Sequence, residues 1–351
     1  MDETRQVMFS KYPSIENSEK DFIVDKIRKH GYENIDYCIT EKIHGSNTQI
    51  DYNYKTGEFE YNKRSGAIEE GEHCYNVQDC FASIKENVVE LAQYLAPTLK
   101  KPLVCVKVFG EIFGGSYPHP DVPRNSKATK VQKGVWYSPD NQWLAFDIAY
   151  MVEGDTKTYF LGSEDFFIAC GAVDLPTVPL LCITGSLTEA LKYPNNKPST
   201  VYKMFKLPEI ENNIMEGVVI RPLKGDFWMG DQRVILKNKN DNFKEVSHTP
   251  RPDLTLEYSD NVKNALAEAD AYITTNRVNN VISHEGEVQE ADIGKLIGLT
   301  AKDIMEEFEK DSKTWNLLEK VECKTISKHI TRGVAKLVRD EVYRRLSEQC
   351  K

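Results

Sequence analysis

No stretch of this 351-residue chain stays apolar for long enough to cross a bilayer, which excludes a helical membrane span. The opening segment "MDETRQVMFSKYPSIEN" has no apolar core and carries acidic residues, so it resembles neither a secretory signal nor a transit peptide, and a cytoplasmic protein is the expectation. None of the eight cysteines forms a CxxC pair, which argues against a zinc ribbon. Scattered singly in a chain of this size, they suit reduced, packed thiols better than a disulfide framework. The same reading is preferred over a metal site at the adjacent His73 and Cys74. Internal repeats and low-complexity tracts are absent as well. So is any excess of positive charge: 45 Lys and Arg stand against 54 Asp and Glu, a net charge of −9. That balance argues against a protein that coats nucleic acid nonspecifically, while leaving a local basic groove open.

What is present is the composition of a soluble globular protein, 40% hydrophobic and 28% charged, in a chain long enough for two or three domains. The first two-thirds read as mixed α and β. "TQIDYN" and "EFEYNK" alternate around "YKTG" as a hairpin, and "CYNVQDCFASIKENVVELAQYLAP" has helical spacing through Phe81, Ile84, Val88 and Leu91. "LVCVKVFGEIFGG" reads as a strand running into glycines, with Glu111 at its end, and "WLAFDIAYM", "MEGVVIRP" and "RVILKNKN" are further β-rich runs. Pro250 and Pro252 mark a boundary at about residues 246–256, beyond which the pattern is helical; the expected domains are 1–248 and 249–351. Thr300 and Asp303 have capping-box spacing before a helical run.

The end of the chain has a different character. Lys320, Lys324, Lys328, Arg332 and Lys336 recur every four residues, which on a helix makes a slanting basic stripe. From Lys320 onward nine Lys or Arg face four acids, a local charge of +5 in an acidic protein. Alone, such a stripe is as readily a solvated helix face as a site for a polyanion.

Lys42 sits in "CITEKIHGSNTQIDYN", a tight loop between two strand-like runs. Strand alternation places Glu216 and Val218 on one side of their strand and Lys237 and Lys239 on one face of theirs. Two lysines aimed into a core are costly unless an anion meets them. Each feature taken singly is more often structural than functional.

Together these stretches resemble the motifs of the covalent nucleotidyltransferases, the superfamily of ATP- and NAD-dependent ligases and mRNA capping enzymes. "EKIHGSN" has the form Lys-x-(His/Asp)-Gly, and "NKRSG", "VFGEIFGG", "WLAFDI", "MEGVVIRP" and "VILKNKN" follow in the family's order, with Glu111 and Glu216 lying 69 and 174 residues after Lys42. The opening "MFSKYPSIEN" and the segment "YITTNRVNNVISHEGEVQEADIGKLIGLTAKDI" narrow the likeness to the RNA ligase 2 family, which includes phage double-strand-dependent RNA ligases and trypanosome RNA-editing ligases.

The resemblance implies an α+β fold: an antiparallel-sheet, ATP-grasp-like nucleotidyltransferase core followed by an all-helical C-terminal domain. It implies an ATP-dependent RNA ligase that joins 5′-phosphate and 3′-hydroxyl ends, preferably in duplex RNA, through lysyl-AMP and adenylylated RNA, with Mg²⁺ or Mn²⁺ as cofactor. Carried over by motif, Lys42 is the nucleophile, Lys237 and Lys239 act on the phosphate, and Glu216 is the metal ligand. Tyr12, Glu41, Asn47, Arg64, Glu111 and Phe146 join them around the nucleotide, with His44 lining the loop and Phe146 stacking on adenine. Arg277, Asp303 and Lys328 fall on the RNA side. A monomer with no membrane partner, of the kind that phages or viruses encode, completes the expectation. Thr40 departs from the arginine common in phage members, and "RNSKATK" at 124–130 is a candidate source of a compensating cation. A DNA ligase, a capping-type enzyme and a noncatalytic RNA-end binder are the competing readings.

Overall fold

The computed structural model describes residues 9–69, 71–72, 74–244 and 258–349. The chain divides into two compact units, Met1–Asn242 and Phe243–Lys351. The boundary expected at 246–256, and the division drawn at 248, lie outside the described residues, as does His73.

The first unit contains, in chain order, β1 (Glu16–Asn17), α1 (Asp21–Lys29), β2 (Tyr37–Lys42), β3 (Ser46–Asn53), β4 (Phe59–Lys63), β5 (Gly66–Ala67), α2 (Val77–Leu95), β6 (Leu103–Gly114) and β7 (Asn141–Val152). There follow β8 (Tyr159–Phe160), α3 (Ser163–Ala172), β9 (Leu180–Thr184), α4 (Leu187–Leu191), β10 (Gly217–Pro222), β11 (Trp228–Met229), β12 (Gln232–Arg233) and β13 (Leu236–Lys239). One sheet has the order β5-β4-β3-β6-β7-β8 and another β1-β13-β10-β2-β9. Neighbours pair antiparallel, as expected, except that β1 runs parallel to β13.

Each sheet has a dry face and a polar one. The apolar ridge of α2, including Phe81, Ile84, Val88 and Leu91, covers Ile50, Val106, Val108 and Ile148 of the six-stranded sheet. Burying each such side chain contributes on the order of 1.5–3 kcal/mol. Strand alternation then sends Asn47, Gln49 and Asp51 of β3, and Lys107, Phe109 and Glu111 of β6, to the other face. In the five-stranded sheet, α1 and α4 pack on Ile39, Val218, Ile220 and Leu236.

The expectation for "MEGVVIRP" fails at one point. Val218 lies in that apolar core, whereas Glu216 pairs with lysines of the opposite face. Gly217 breaks the alternation: its φ is +154°, and a Cβ there would meet the Asn238 carbonyl oxygen at 2.1 Å. Glu111 also sits within β6 rather than at its end, because the strand continues through Gly114.

The second unit is helical throughout its described residues: α5 (Asp260–Tyr272), α6 (Thr275–Glu285), α7 (Ile293–Asp311) and α8 (Lys320–Gln349), with short 3-10 turns between. Its core joins Val262, Leu266, Ile304 and Phe308 to Ile326, Ile330 and Val334, and then Val278, Ile282 and Leu296 to Val338 and Val342. The capping box expected at Thr300 and Asp303 is not there. Both lie inside α7, where Thr300 Oγ1 donates to the Leu296 carbonyl, and the reciprocal cap is formed upstream by Gln289 and Asp292. Among the described residues no helix is long and apolar enough to cross a membrane. Among the described residues no disulfide joins any of the seven cysteines, and no group of three His, Cys, Asp or Glu is placed to hold a metal.

Candidate active site

Lys42 ends β2, and only Ile43, His44 and Gly45 separate it from β3. Ile43 is buried, and the His44 amide donates to the Tyr137 hydroxyl at 3.0 Å. The glycine has a steric cause. A Cβ at residue 45 would lie 2.1 Å from the Ile112 carbonyl oxygen and 2.9 Å from Glu111 Cγ, so the loop can press against β6 only with no side chain there.

Lys42 Nζ reaches Glu216 Oε2 at 2.8 Å, Lys239 Nζ reaches Oε1 at 2.9 Å, and His44 Nδ1 lies 3.6 Å from Oε2. The carboxylate at the centre is 1% exposed, whereas the Lys42 side chain is 20% exposed. Burial pushes the Glu216 carboxyl up, but Lys239, Lys42 and His44 outweigh it and bring it down to about 2. Cross-strand register explains the convergence: Gly217 is opposite both Lys42 and Lys239. Lys237, half-buried, shares the Lys239 face two residues earlier. Thr40 lies on that face too, opposite Val219 and 5% exposed.

Across from this group, Asn47 and Glu111 are register partners on β3 and β6. The Glu111 carboxyl is pushed up to about 7, chiefly by burial and further by Glu216, against the opposing pull of Lys42, the Gly45 amide and Arg64. A carboxyl raised in the folded state favours folding below its unfolded value and loses that contribution as pH rises towards 7. Glu111→Gln is therefore expected to raise the melting temperature by a few degrees at pH 8, with the gain shrinking towards pH 5; calorimetry at the two pH values checks it.

Phe146 is the extra residue of a β-bulge. Phe109 pairs with Asp147 and Gly110 with Ala145, leaving Phe146 unpaired and re-aimed. Tyr12 packs edge-on against it with ring centroids 5.1 Å apart, and the Tyr12 hydroxyl donates to Asp147 at 2.7 Å. Asp147, fully buried, also accepts from Arg221 at 3.0 Å and from Arg233. Arg233 pairs in addition with Asp226. Tyr12 thus acts from behind the phenyl ring, as a buried support. Glu41 likewise turns away from the lysines: its carboxylate accepts from Ser199 at 2.6 Å and from the amide and hydroxyl of Thr200 at 2.9 and 2.8 Å. It anchors the 199–200 segment to β2, so the Glu41 side chain is directed away from the group around Lys42. In "RNSKATK", Arg124, Lys127 and Lys130 are exposed, and Asn125 ties the segment to Asp140.

In the helical unit, Arg277 is 1% exposed, with Nη1 2.7 Å from Asp303 and Nη2 2.6 Å from Glu307. It clips α6 to α7. The guanidinium is enclosed by these two carboxylates. Asp303 is 40% exposed on one side of the clip, and Lys328 is exposed on α8.

A family model for RNA ligases matches residues 35–239, the segment holding Lys42, Arg64, Glu111, Phe146, Glu216, Lys237 and Lys239. A model described as T4 RNA ligase 2 C-terminal matches residues 256–336. The chain belongs to the RNA ligase 2 family. Curated relatives agree. Mitochondrial RNA-editing ligase 2 of Trypanosoma brucei brucei is 27% identical over 87% of this chain and 84% of the relative. Mitochondrial RNA-editing ligase 1 of the same organism is 25% identical over 82% and 73%. Among solved structures, a Naegleria gruberi RNA ligase with ATP and Mn has a TM-score of 0.43 at 15% identity, covering 68% of this chain and 58% of that one.

For this RNA ligase 2 family member, sequence motifs located the charged residues but missed what holds them. Tyr137, Ser199, Arg221 and Arg233 each lie far along the chain from the group they support. No periodicity marks them. The one available signal was the polar Asp147 beside Phe146 in an otherwise apolar run.

Proposed function

We propose that this RNA ligase 2 family protein uses ATP to seal 5′-phosphate and 3′-hydroxyl RNA ends at nicks in duplex RNA, with Lys42 as the nucleophile. The observation that carries the reading is the partly exposed Lys42 amine at the edge of a buried carboxylate that already holds Lys239. It is a reachable amine with a second cation beside it, set between two polar sheet faces. The family match and the likeness to the two RNA-editing ligases support the same reading.

The chemistry follows in three displacements. The Lys42 amine, having lost a proton, attacks the α-phosphorus of ATP; a P–N bond forms, the bond to the bridging oxygen breaks, and pyrophosphate leaves. A 5′-phosphate oxygen of RNA then attacks the same phosphorus and expels the lysine. Last, a 3′-hydroxyl attacks the 5′-phosphorus, releasing AMP as the phosphodiester forms. Lys239 and Lys237 offset charge growing on the phosphate in the first two steps. Arg64 and Asn47 hold the nucleotide, the Phe146 ring takes the adenine face, and Glu111 accepts from a ribose hydroxyl.

The donors here fit a hydrated divalent cation. Glu216 and Glu111 offer oxygen alone, and the described residues contain no His or Cys set that selects a softer metal. Glu216 is the residue that would hold such an ion, which would supply electrostatic stabilisation of the phosphates. On the RNA side, Lys328 faces the backbone, while Arg277 and Asp303 keep the helical unit in shape.

The test is joining of a nicked RNA duplex carrying a 5′-phosphate, with ATP or GTP as the only nucleotide. Sealing is expected with ATP alone and is expected to fail on a 5′-hydroxyl nick. GTP labelling without sealing indicates a capping-type enzyme, and RNA binding with no labelling by either nucleotide indicates an end-binding protein.

A further inference from the structure

The basic stripe noted in the sequence occupies one face of α8 in an arrangement that a solvated helix does not need. Between Lys320 and Arg339, every exposed position is Lys or Arg except Val321. The positions directly opposite, Ile326, Ile330, Val334 and Val338, are the fully buried core row. An ordinary exposed helix face interleaves acids four residues from its lysines. Here the cations stand four apart from one another, so each repels the next. The contrast is within the same helix. Arg344 and Arg345 pair with Glu341, and Arg344 also with Glu348, whereas no ion pair among the described residues engages Lys320, Lys324, Lys328, Arg332 or Lys336. The row beside the stripe, Ser327, Thr331 and Ala335, is short-chained and leaves room for close approach.

We infer that this face is a docking surface for the sugar-phosphate backbone of one RNA strand, read by charge and spacing and not by base. Four residues of helix advance about 6 Å, so the stripe sets its cations at roughly the interval of successive phosphates along a strand. Its row is inclined to the helix axis, as a strand that curls round a duplex requires. The inference rests on the RNA-ligase reading for the identity of the polyanion, and it extends a single contact at Lys328 to a track of about five phosphates. It assigns the track to RNA engagement and gives it no part in nucleotide transfer.

The 351-residue chain and a Lys324→Gln, Arg332→Gln, Lys336→Gln variant are compared by fluorescence anisotropy on a labelled nicked RNA duplex between 50 and 200 mM KCl. A Lys29→Gln, Lys100→Gln, Lys101→Gln variant, in which exposed lysines of the other unit are changed, controls for net charge. The replaced side chains are exposed, so far-UV circular dichroism is expected to match wild type. Loss of three phosphate contacts is expected to flatten the slope of log affinity against log salt by about two to three, with affinity at 50 mM down by about tenfold or more. The control is expected to keep the wild-type slope, and all three proteins the same AMP adduct by intact mass. An unchanged slope in the stripe variant overturns the inference. So does unchanged RNA affinity with loss of binding to phosphatidylserine vesicles, which transfers the surface to anionic lipid. If none of the proteins forms an adduct, the ligase reading fails, and the salt slope still decides whether the stripe grips RNA.

Discussion

Lys42→Ala is expected to take AMP adduct formation from near-stoichiometric to undetectable, measured by intact mass after incubation with Mg²⁺ and ATP. The variant separates chemistry from folding because Glu216 keeps Lys239 at 2.9 Å and His44 at 3.6 Å when Lys42 is removed. The buried carboxylate is not left alone, so the loss of stability is expected to be small beside the loss of activity. Lys42→Arg is the sharper control. Arginine restores a positive charge that can pair with Glu216, yet a guanidinium does not shed its proton to become a nucleophile, and no adduct is expected. An adduct in either variant would move the nucleophile elsewhere. Because Glu216 lies at about 2, below its ordinary 4.5, the stability it contributes is fully present above about pH 4.5 and is lost only as pH falls through about 2. Assays near neutrality therefore read the lysine with its carboxylate partner intact.

The second large effect is structural in origin and is expected at Asp147. This carboxylate accepts from Tyr12 of the N-terminal segment, Arg221 of β10 in the five-stranded sheet and Arg233 of the separate β11-β12 pair, whereas its own strand lies in the six-stranded sheet. Asp147→Asn leaves buried guanidiniums without the charge between them. Removing one partner of a buried ion pair costs roughly 3–5 kcal/mol, so the melting temperature is expected to fall by about 10 °C. Adding Arg233→Met to Asp147→Asn is expected to recover part of that loss, since it withdraws one of the stranded charges, although Asp226 then loses its partner. Burial pushes the Asp147 carboxyl up, and Arg233 and Arg221 more than reverse it, leaving it below its ordinary value. Its contribution is thus fully present above about pH 4 and drains away at lower pH, so the wild-type advantage over the Asn variant is expected to narrow only there. Tyr12 links this node to the bulged Phe146, so the variant is also expected to need more ATP for half-maximal adduct formation. A melting temperature within 2 °C of wild type would remove the node from any account of what ties the two sheets together.

The sequence by itself determined the chemical inventory: a lysine in a Lys-x-His-Gly loop, carboxylates on later β-runs, two lysines two residues apart on a strand, and a helical second unit. These were legible because each is local. A motif is a short run, and strand or helix periodicity is read over a few residues. The hairpin after Lys42 and the α2 ridge were legible for the same reason. The tertiary structure decided which of these groups meet. Only cross-strand register puts Lys42 and Lys239 on either side of Gly217, and only the positive φ of that glycine turns Glu216 to them and away from Val218. Phe146 gains its direction from a bulge, which belongs to a pair of strands and to neither alone. Glu41, adjacent to the nucleophile in sequence, lies on the opposite side of β2, because neighbouring side chains on a strand point apart. Arg277 and Asp303, 26 residues apart, became a clip between two helices through packing that no spacing encodes. Burial and pairing are properties of neighbours in space, and a chain read in order shows only its neighbours in sequence.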